Sequence, residues 1–311
     1  AEYFLAANWS LYCYATMGNG TALIIQRYGT QEQQKKYVRK LTAAQWGGTM
    51  LLTEPEAGSD ASATKTTAKL ENQQWTINGS KIFITNSSSP ISSVCMVLAK
   101  TGKRTDGKDE LSSILVPNGT PGFETKTMKK KLMWRSSDTG ELYFDDCQVP
   151  EENLLGKRGE GFHQMMETLD NGRLAIAAMG LGGSQGAYEL AMKYSKERHQ
   201  FGVPISTFQV NAFKLADMAT EIETARALLY KACRMKNAGL PFSKIAAMSK
   251  LYCSEVMGRV VDHAVQLHGG YGLMKEYAVE RFYRDQKLLT IGEGTSEIQR
   301  LVISRQIGCH S

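Results

Sequence analysis

The pattern of apolar residues changes twice along this chain of 311 residues, and the two changes restrict the folds that it can adopt. Residues 1 to 46 are rich in alanine and have a helical pattern. Residues 47–157 are rich in Thr, Ser, Gly and β-branched residues, in short runs separated by turn signals. In residues 158–311 apolar side chains recur every three to four positions, which is typical of amphipathic helices. This order predicts an α+β multidomain protein with a β region between two helical regions.

Short, regularly spaced strands in the middle region favour a β-barrel or sandwich over alternating β-α-β units. The segment WTINGSKIFITN (75–86) predicts two strands joined by a tight turn at NGS. Two long amphipathic helices, each ended by glycine, are predicted in residues 210–239 and 243–270. Together with the shorter helical segments around them, they predict a four-helix bundle at the C-terminus.

Composition argues against several classes of protein. The net charge of +6 is mild and the basic residues form no tail, so the sequence favours a small polyanion such as a nucleotide or coenzyme A over nucleic acid. No run approaches the roughly 18 apolar residues of a membrane span. The six cysteines have no CxxC spacing and the five histidines no HExxH spacing. We therefore expect reduced thiols, in the cytoplasm or the mitochondrial matrix, and no metal site.

The segment GLGGSQG (180–186) has the look of a dinucleotide-binding glycine motif, but its context is wrong. That motif needs a preceding strand and a β-α-β unit. Here the helical run RLAIAAMG (173–180) precedes it. We therefore interpret these glycines as small residues that allow close helix packing.

Two predicted strands end in hydroxyl-bearing residues, at LLTEPEAGSD (51–60) and SKIFITNSS (80–88). Each end is either an ordinary strand-to-loop transition or part of a ligand site, in which hydroxyls and free amides receive a phosphate or the edge of a ring. Phe83 and Thr85 would share one strand face, where an aromatic ring can stack on a planar cofactor.

The segment LTIGEGTSEIQR (289–300) places Glu293 between two glycines, just before a predicted helix start at Thr295. The simplest interpretation is a turn between two helices with a solvated carboxylate. The alternative is a functional carboxylate whose flanking glycines allow a ligand to approach. The segments ERHQFG (197–202) and QLHGGYG (266–272) are likewise either ordinary helix ends or ligand contacts.

Seven segments in this order resemble the acyl-CoA dehydrogenase family over nearly all of residues 1–308. They are TEPEAGSD, GSKIFITN, SDTGELYFDDCQVPEENLLG, LDNGRLAIAA, ERHQFG, QLHGGYG and ERFYRDQKLLTIGEGTSEIQR. The resemblance implies the end of an N-terminal helical domain at 1–46, a middle β domain at 47–157 and a C-terminal helical bundle at 158–311. It also implies that the upstream part of the helical domain precedes residue 1.

The resemblance further implies FAD, bound between the middle domain and the bundle. The positions that match cofactor contacts of the family are Leu52, Thr53, Ser59, Phe83, Ile84, Thr85, Arg198, Phe201, Gln209, Gln266, Leu267, His268, Gly269, Gly270, Thr295 and Glu297. Of these, Arg198, Phe201 and Gln209 match contacts that come from a neighbouring subunit, so a homotetramer is expected. Phe83 stands where Trp is usual, and this change keeps an aromatic face.

The activity implied by the resemblance is dehydrogenation of an acyl-CoA thioester to a trans-2-enoyl-CoA. Glu293 matches the base that removes the α-proton, while a hydride leaves the β-carbon for FAD. An electron-transfer flavoprotein is the expected electron acceptor. The positions that match the acyl-CoA path are Ser59, Asp170, Gly172, Arg173 and Gly294. Two alternatives remain: an enoyl-CoA reductase working in a complex with an electron-transfer flavoprotein, and a binding scaffold without turnover.

The sequence departs from the family at a few positions. Gly292 stands where many relatives carry Tyr, and Met133 and Trp134 replace a glycine-containing pair. No arginine precedes Arg27, which argues against a dicarboxylyl-CoA substrate. The early helix instead carries three aromatic residues, Trp9, Tyr12 and Tyr14, which either line an acyl pocket for a short, branched or ring-bearing group or belong to the core.

Overall fold

A computed structural model describes residues 2–16 and 18–309, and only the backbone of Phe4, Ser10, Leu11, Tyr14 and Ala15. In the described residues the chain forms helices and strands in an order that agrees with the predicted α+β class. The helices are α1 (Glu2–Leu5), α2 (Trp9–Thr16), α3 (Asn19–Tyr28), α4 (Gln31–Thr42), α5 (Gly161–Glu197), α6 (Gln209–Asn237), α7 (Ser243–His268), α8 (Val279–Asp285) and α9 (Ser296–Gln306). The strands are β1 (Gly47–Leu51), β2 (Thr67–Glu71), β3 (Gln74–Thr85), β4 (Ser92–Lys103), β5 (Asp109–Pro117), β6 (Phe123–Thr127), β7 (Thr139–Pro150), β8 (His199–Gln200) and β9 (Val203–Pro204).

The chain divides into two compact units. The sheet unit consists of residues 13–131 and 135–168, and the helical unit consists of residues 1–12, 132–134 and 169–311. The division follows contacts in space, so the short segment 132–134 groups with the helices although strands flank it in sequence. The domain limits expected from the sequence remain predictions.

The sheet unit is built on one seven-stranded sheet with the order β1-β4-β2-β3-β7-β6, and β5 pairs with the other edge of β4. β1 and β4 are parallel, whereas the β3–β7, β4–β5 and β6–β7 pairs are antiparallel. Its core is a cluster of fully buried side chains that includes Trp75, Ile77, Val97 and Ile114. The β-branched, short-run pattern of the middle region is therefore correctly interpreted as sheet.

The predicted hairpin at NGS is wrong, because β3 runs without interruption from Gln74 to Thr85. A register shift between Ile77 and Gly79 takes the place of the turn, and Gly79 has φ 142°. A Cβ at Gly79 would lie 2.6 Å from the Thr66 hydroxyl. Glycine here permits a β-bulge and a close approach, which is its other common use in strands. The actual turn joins β2 to β3.

The helical unit contains the two long helices that the sequence predicts, as α6 and α7. Helix α7 ends at Gly269, which has φ 60°. The suspected dinucleotide motif lies within α5. A Cβ at Gly180 would lie 2.6 Å from the Cys253 carbonyl oxygen, and Gly183 and Gly186 face Trp9 and Ala6 too closely for any side chain. Close helix packing is thus the role of these glycines, as predicted.

An aromatic cluster in the helical unit accounts for one departure from the family. The rings of Trp9 and Trp134 meet edge to face at 6.3 Å, and Trp9 meets Phe282 at 6.1 Å. The Trp134 amide donates to Asp285 Oδ1 at 2.7 Å. Trp9 and Trp134 are therefore core residues of this unit, with 3% and 4% exposure. Among the described residues, no contact explains Met133.

Tyr12, the second aromatic residue of the early helix, is partly buried. The side chain of Tyr14 lies outside the described residues. All six cysteines are free thiols, and four are buried: Cys13, Cys95, Cys147 and Cys253. Within the described ranges, no helix combines the length and the apolar character needed to cross a bilayer.

Candidate active site

Glu293 lies in a turn between the 3-10 helix Gln286–Thr290 and α9. The predicted helix start is correct, because the Thr295 hydroxyl accepts a hydrogen bond from the first turn of α9 at 3.2 Å. Glu293 has φ 55° and Gly294 has φ 88°, so two consecutive residues are left-handed. This conformation is costly for a residue with a Cβ, and surrounding contacts must therefore hold it.

Two buried side chains hold the carbonyl groups of this turn. Gln299 Nε2 donates to the carbonyl of Glu293 at 3.0 Å and to that of Gly294 at 2.9 Å. Lys250 Nζ donates to the same Gly294 carbonyl at 2.7 Å. Both donors are completely buried, so the turn is anchored from the protein interior. The backbone conformation that presents the Glu293 side chain is therefore imposed by α7 and α9.

The Glu293 carboxylate lies against α5, beside Gly172. A Cβ at Gly172 would lie 2.9 Å from the Glu293 carboxylate carbon and closer still to Oε2. Oε2 is buried and has no hydrogen-bond partner among the described residues. Burial raises the pKa of Glu293 to about 7, although the charges of Arg173 and Lys250 oppose the shift. Of the two interpretations left open by the sequence, the solvated carboxylate is therefore wrong; a functional role for Glu293 remains a prediction.

We expect Gly172→Ala to lower kcat/KM about a hundredfold, because a displacement of order 1 Å at a catalytic group has that effect. The new methyl group would occupy the place of the Glu293 carboxylate and force it to move. Steady-state kinetics of the FAD-loaded variant provide the measurement. Gly258→Ala in α7 is the matched control, since its methyl group would find an ordinary contact at 3.5 Å. Equal activity of both variants would show that the carboxylate does not need its position beside α5.

The predicted acyl-CoA residues of the helical unit surround the same carboxylate. Arg173 is 6% exposed and forms an ion pair with Asp170, which also accepts a hydrogen bond from Ser243 Oγ at 3.0 Å. Arg173 Nε is buried and has no partner among the described residues. A buried donor on Arg173 and a buried acceptor on Glu293 therefore both lack hydrogen-bond partners among the described residues of this unit. Ser59 belongs to the sheet unit and is exposed.

The strand end that carries Phe83 and Thr85 leaves both of these side chains exposed. Phe83 is 62% exposed and Thr85 is exposed, whereas Ile84 between them is 6% exposed and belongs to the core. Phe83 has φ 61° within a second irregular stretch of β3, between Lys81 and Ile84. A large exposed aromatic ring in a strained backbone is typical of a ligand contact. The side chains of Phe83 and Thr85 are thus both accessible, on either side of the buried Ile84.

The other predicted strand end lies directly beside this one. The Ile82 amide donates to the Thr53 carbonyl at 3.0 Å, and Lys81 Nζ donates to the Leu52 carbonyl at 3.1 Å. The sheet unit therefore brings together five predicted flavin residues where β1 and β3 end. They are Leu52, Thr53, Phe83, Ile84 and Thr85.

A buried ion pair lies close to these strand ends. Lys81 Nζ and Glu54 Oε1 are 2.8 Å apart, with side-chain exposures of 0% and 5%. Glu54 also accepts from Thr66 Oγ1 at 2.6 Å and from Thr64 Oγ1. Burial alone would raise the pKa of Glu54, but the Lys81 charge and these hydrogen bonds outweigh it and lower the pKa to about 2. Lys81 thus links the backbone before Thr53 to β3.

In the helical unit, a cavity of about 610 Å³ lies between the end of α5 and the glycine turn after α7. Its lining includes Arg198, Tyr271 and Met274, and five predicted cofactor residues also line it: Gln266, Leu267, His268, Gly269 and Gly270. The Arg198 guanidinium lies 5.7 Å from the centre of the Tyr271 ring. A guanidinium beside exposed glycine amides is suited to a pyrophosphate.

Four predicted cofactor residues of this unit lie outside that lining: Phe201, Gln209, Thr295 and Glu297. Phe201 is 94% exposed, and Gln209 is exposed. His268 lines the cavity, but its ring stacks on Tyr194 at 4.3 Å and its Nδ1 lies 2.8 Å from the Ala264 carbonyl oxygen. Burial lowers the pKa of His268. Its imidazole therefore packs as a neutral ring in the helical unit.

Four residues at these sites were not found from the sequence: Lys250, Gln299 and the two members of the buried ion pair, Lys81 and Glu54. A lysine or glutamine in an amphipathic helix gives no local sign that it is buried. The only available signal for Lys250 was its position in α7 among apolar residues, at a helical spacing that faces the core.

Comparison with known proteins decides the family. The model of the acyl-CoA dehydrogenase C-terminal domain matches residues 159–308, and that of the middle domain matches residues 49–147. The chain belongs to the acyl-CoA dehydrogenase family. It is 48% identical to the probable acyl-CoA dehydrogenase YngJ of Bacillus subtilis, over 90% of this chain and 73% of the relative.

Two further relatives of this acyl-CoA dehydrogenase differ from each other in name. The short-chain-specific acyl-CoA dehydrogenase of Clostridium acetobutylicum is 46% identical over 92% of this chain and 75% of the relative. The acryloyl-CoA reductase (NADH) of Anaerotignum propionicum is 45% identical over 91% and 72%.

The fold agrees with solved structures of the family. The butyryl-CoA dehydrogenase of Megasphaera elsdenii superposes with a TM-score of 0.90 at 42% identity, covering 96% of this chain and 77% of that one. A chain from a structure of the electron transferring flavoprotein of Acidaminococcus fermentans superposes with a TM-score of 0.91 at 44% identity, covering 96% and 78%. The predicted acyl-CoA dehydrogenase fold is confirmed.

Proposed function

We propose that Glu293 of this FAD-dependent acyl-CoA dehydrogenase removes the α-proton of an acyl-CoA thioester, as a hydride leaves the β-carbon for the flavin. The observation that carries the proposal is the Glu293 carboxylate itself: its Oε2 is buried without a hydrogen-bond partner among the described residues, and burial raises its pKa to about 7. A thioester α-proton is weakly acidic, so its removal needs a positioned base with a pKa near the working pH.

The residues around Glu293 prepare it for this step. The left-handed turn fixes the backbone, and Gly172 leaves space for the carboxylate against α5. Burial without a hydrogen-bond donor keeps Oε2 free to accept a proton. The Glu293 amide has no acceptor among the described residues, and we propose that it donates to the thioester oxygen, where negative charge develops.

The residues of the two units fit FAD. The sheet unit offers the exposed ring of Phe83 and the exposed Thr85. The helical unit offers Arg198, which is expected to contact FAD from a neighbouring subunit, and the amides of Gly269 and Gly270, all around one cavity. An aromatic face suits the flavin ring system, and a guanidinium suits the pyrophosphate. When bound, FAD supplies the acceptor for the hydride.

The pH dependence follows from the raised pKa. Glu293 acts as a base only when ionised, so kcat/KM should rise with pH through about 7 and be lost as the pH falls below that value. Steady-state kinetics with the FAD-loaded enzyme across this pH range provide the measurement. A kcat/KM profile that is flat between about pH 5 and 8 would contradict the role of Glu293 as the base.

We infer a short-chain acyl group as the substrate. Relatives that are 42–48% identical include enzymes named as specific for short chains and for butyryl-CoA. A panel of acyl-CoAs with an artificial electron acceptor tests the inference, and the highest kcat/KM should fall on butyryl-CoA. A maximum on a long-chain acyl-CoA or on glutaryl-CoA would contradict it.

The reverse direction is the second candidate function. The chain is almost as similar to the acryloyl-CoA reductase (NADH) as to the dehydrogenases, at 45% against 46–48% identity. Its structural similarity to a chain of the Acidaminococcus fermentans flavoprotein structure also supports a partner of that kind. Copurification with an electron-transfer flavoprotein, together with NADH-linked reduction of an enoyl-CoA, would favour this direction.

A binding scaffold without turnover is the remaining alternative. It predicts the loss of reactive side chains, yet Glu293, Arg198, Thr53 and Thr85 are all present. An absorption spectrum of the purified protein distinguishes the two cases, because an enzyme of this kind carries the flavin bands.

We further propose a homotetramer in the cytoplasm or the mitochondrial matrix. Large apolar side chains stay exposed on the single chain, among them Phe201, Val210 and Phe213 at 94%, 62% and 60%. Exposed apolar groups of this size are typical of subunit contacts. The free thiols fit a reducing compartment. Light scattering of the purified protein would give the subunit number.

A further inference from the structure

Lys250 is an unusual residue for the buried face of a helix. It lies within α7 with 0% exposure and forms no ion pair among the described residues. Lys81, which is equally buried, is paired with Glu54. A fully buried lysine without a paired carboxylate is costly, because its charge has left water. A specific role is therefore needed to explain why a lysine is buried here.

The only hydrogen bond of Lys250 in the described residues goes to the Glu293 turn. Nζ donates to the Gly294 carbonyl at 2.7 Å. Gln299 donates to that carbonyl as well, at 2.9 Å, so both lone pairs of the Gly294 carbonyl oxygen accept a hydrogen bond. The turn holds two left-handed residues in succession, and a free carbonyl here would leave this conformation without support.

Lys250 also acts on Glu293 through its charge. The groups that face this position are Arg173 on α5, Glu255 on α7, and Glu293 and Glu297 at the start of α9. Desolvation lowers the pKa of Lys250 to about 8, so at neutral pH the ammonium form still predominates. A positive charge beside a carboxylate favours its ionised form. Arg173 has the same effect on Glu293 from the α5 side.

We propose that Lys250 is a positioning residue for Glu293, which fixes the catalytic turn through the Gly294 carbonyl and keeps the base ionised near neutral pH. This inference rests on the proposed role of Glu293. It assigns Lys250 two separable effects, one on geometry and one on charge. Gln299 shares the first effect and not the second, because its amide is neutral.

A pair of variants in the FAD-loaded enzyme separates the two effects. Lys250→Met removes a donor and a charge, whereas Gln299→Met removes no charge, only the hydrogen bonds to the carbonyls of Gly294 and Glu293. We expect both to lower kcat/KM about tenfold or more, since both loosen the turn. Only Lys250→Met should move the acidic limb of the kcat/KM profile upward, by about one pH unit. Lys244→Met replaces an exposed lysine of the same helix and is the control; it should change neither kcat/KM nor its pH profile.

Flavin absorbance and melting temperature are recorded for each variant. They distinguish a loss of FAD or of folded protein from a misplaced Glu293 carboxylate. Should Lys250→Met fail to bind FAD, Lys250→Gln takes its place, because it retains a donor and removes the charge. An unshifted pH profile in the charge-removing variant, with Glu293→Gln inactive, overturns the role of Lys250. Activity in Glu293→Gln would instead refute the proposed base, whatever the lysine variants do.

Discussion

Glu293→Gln should lower turnover about a thousandfold or more and leave the flavin absorbance of the protein unchanged. Glutamine has nearly the same shape as glutamate, so the left-handed turn and the contact with Gly172 should persist. What is lost is the ability to accept a proton at Oε2, the atom that is buried without a partner. Turnover with an acyl-CoA and an artificial acceptor gives the rate, and the absorption spectrum gives the FAD content.

Glu32→Gln makes the same chemical change at an exposed position of α4 and should leave turnover unaffected. Near-normal dehydrogenation by Glu293→Gln would remove Glu293 from the reaction. Loss of FAD together with activity would also count against the account, because the carboxylate itself is proposed to act on the substrate and not to hold the cofactor.

Lys81→Met should lower the free energy of unfolding by about 3–5 kcal/mol, which is the usual effect of removing one partner of a buried ion pair. Glu54 would remain 5% exposed, without the ammonium group 2.8 Å away that keeps it ionised. The carbonyl of Leu52 would also lose its donor at 3.1 Å, so the strand end before Thr53 should loosen. We therefore expect a lower melting temperature and weaker retention of FAD.

Lys65→Met is the matched control for this prediction. Lys65 pairs with Glu56 in the same loop, but both side chains are about 70% exposed, at 68% and 70%. Exposed ion pairs contribute little to stability, so the melting temperature should hardly change. Similar melting temperatures for the two lysine variants would show that burial of the Lys81 pair has no energetic consequence.

Much of the fold was predictable because periodicity is a local property. The apolar spacing of α6 and α7 and the glycine at the end of α7 are visible in the sequence, and the structure confirms both. The hairpin at Gly79 was wrong for a physical reason. A glycine in a strand suits a tight turn, a bulge or a close contact equally well, and only the neighbour Thr66, 13 positions earlier, decides between them.

The candidate site was predictable in part. The family resemblance singled out Glu293, Phe83 and Thr85, and their proposed roles remain predictions; Glu293 Oε2 is buried, and Phe83 and Thr85 are exposed. The supporting residues could not be predicted, because their partners are distant in sequence. Lys250 donates to the Gly294 carbonyl, 44 positions away, and Glu54 accepts from the Lys81 amine, 27 positions away. Residues with such long-range partners carry no local pattern, since their environment exists only in the folded chain.

The most direct test of the account is a crystal structure of the FAD-loaded enzyme with a bound acyl-CoA. The account predicts that a carboxylate oxygen of Glu293 lies within about 3.5 Å of the α-carbon of the acyl group, with the turn still left-handed. It also predicts Lys250 Nζ on the Gly294 carbonyl, as in the free chain. A Glu293 side chain turned into bulk solvent, or another base nearer to the α-carbon, would contradict the account.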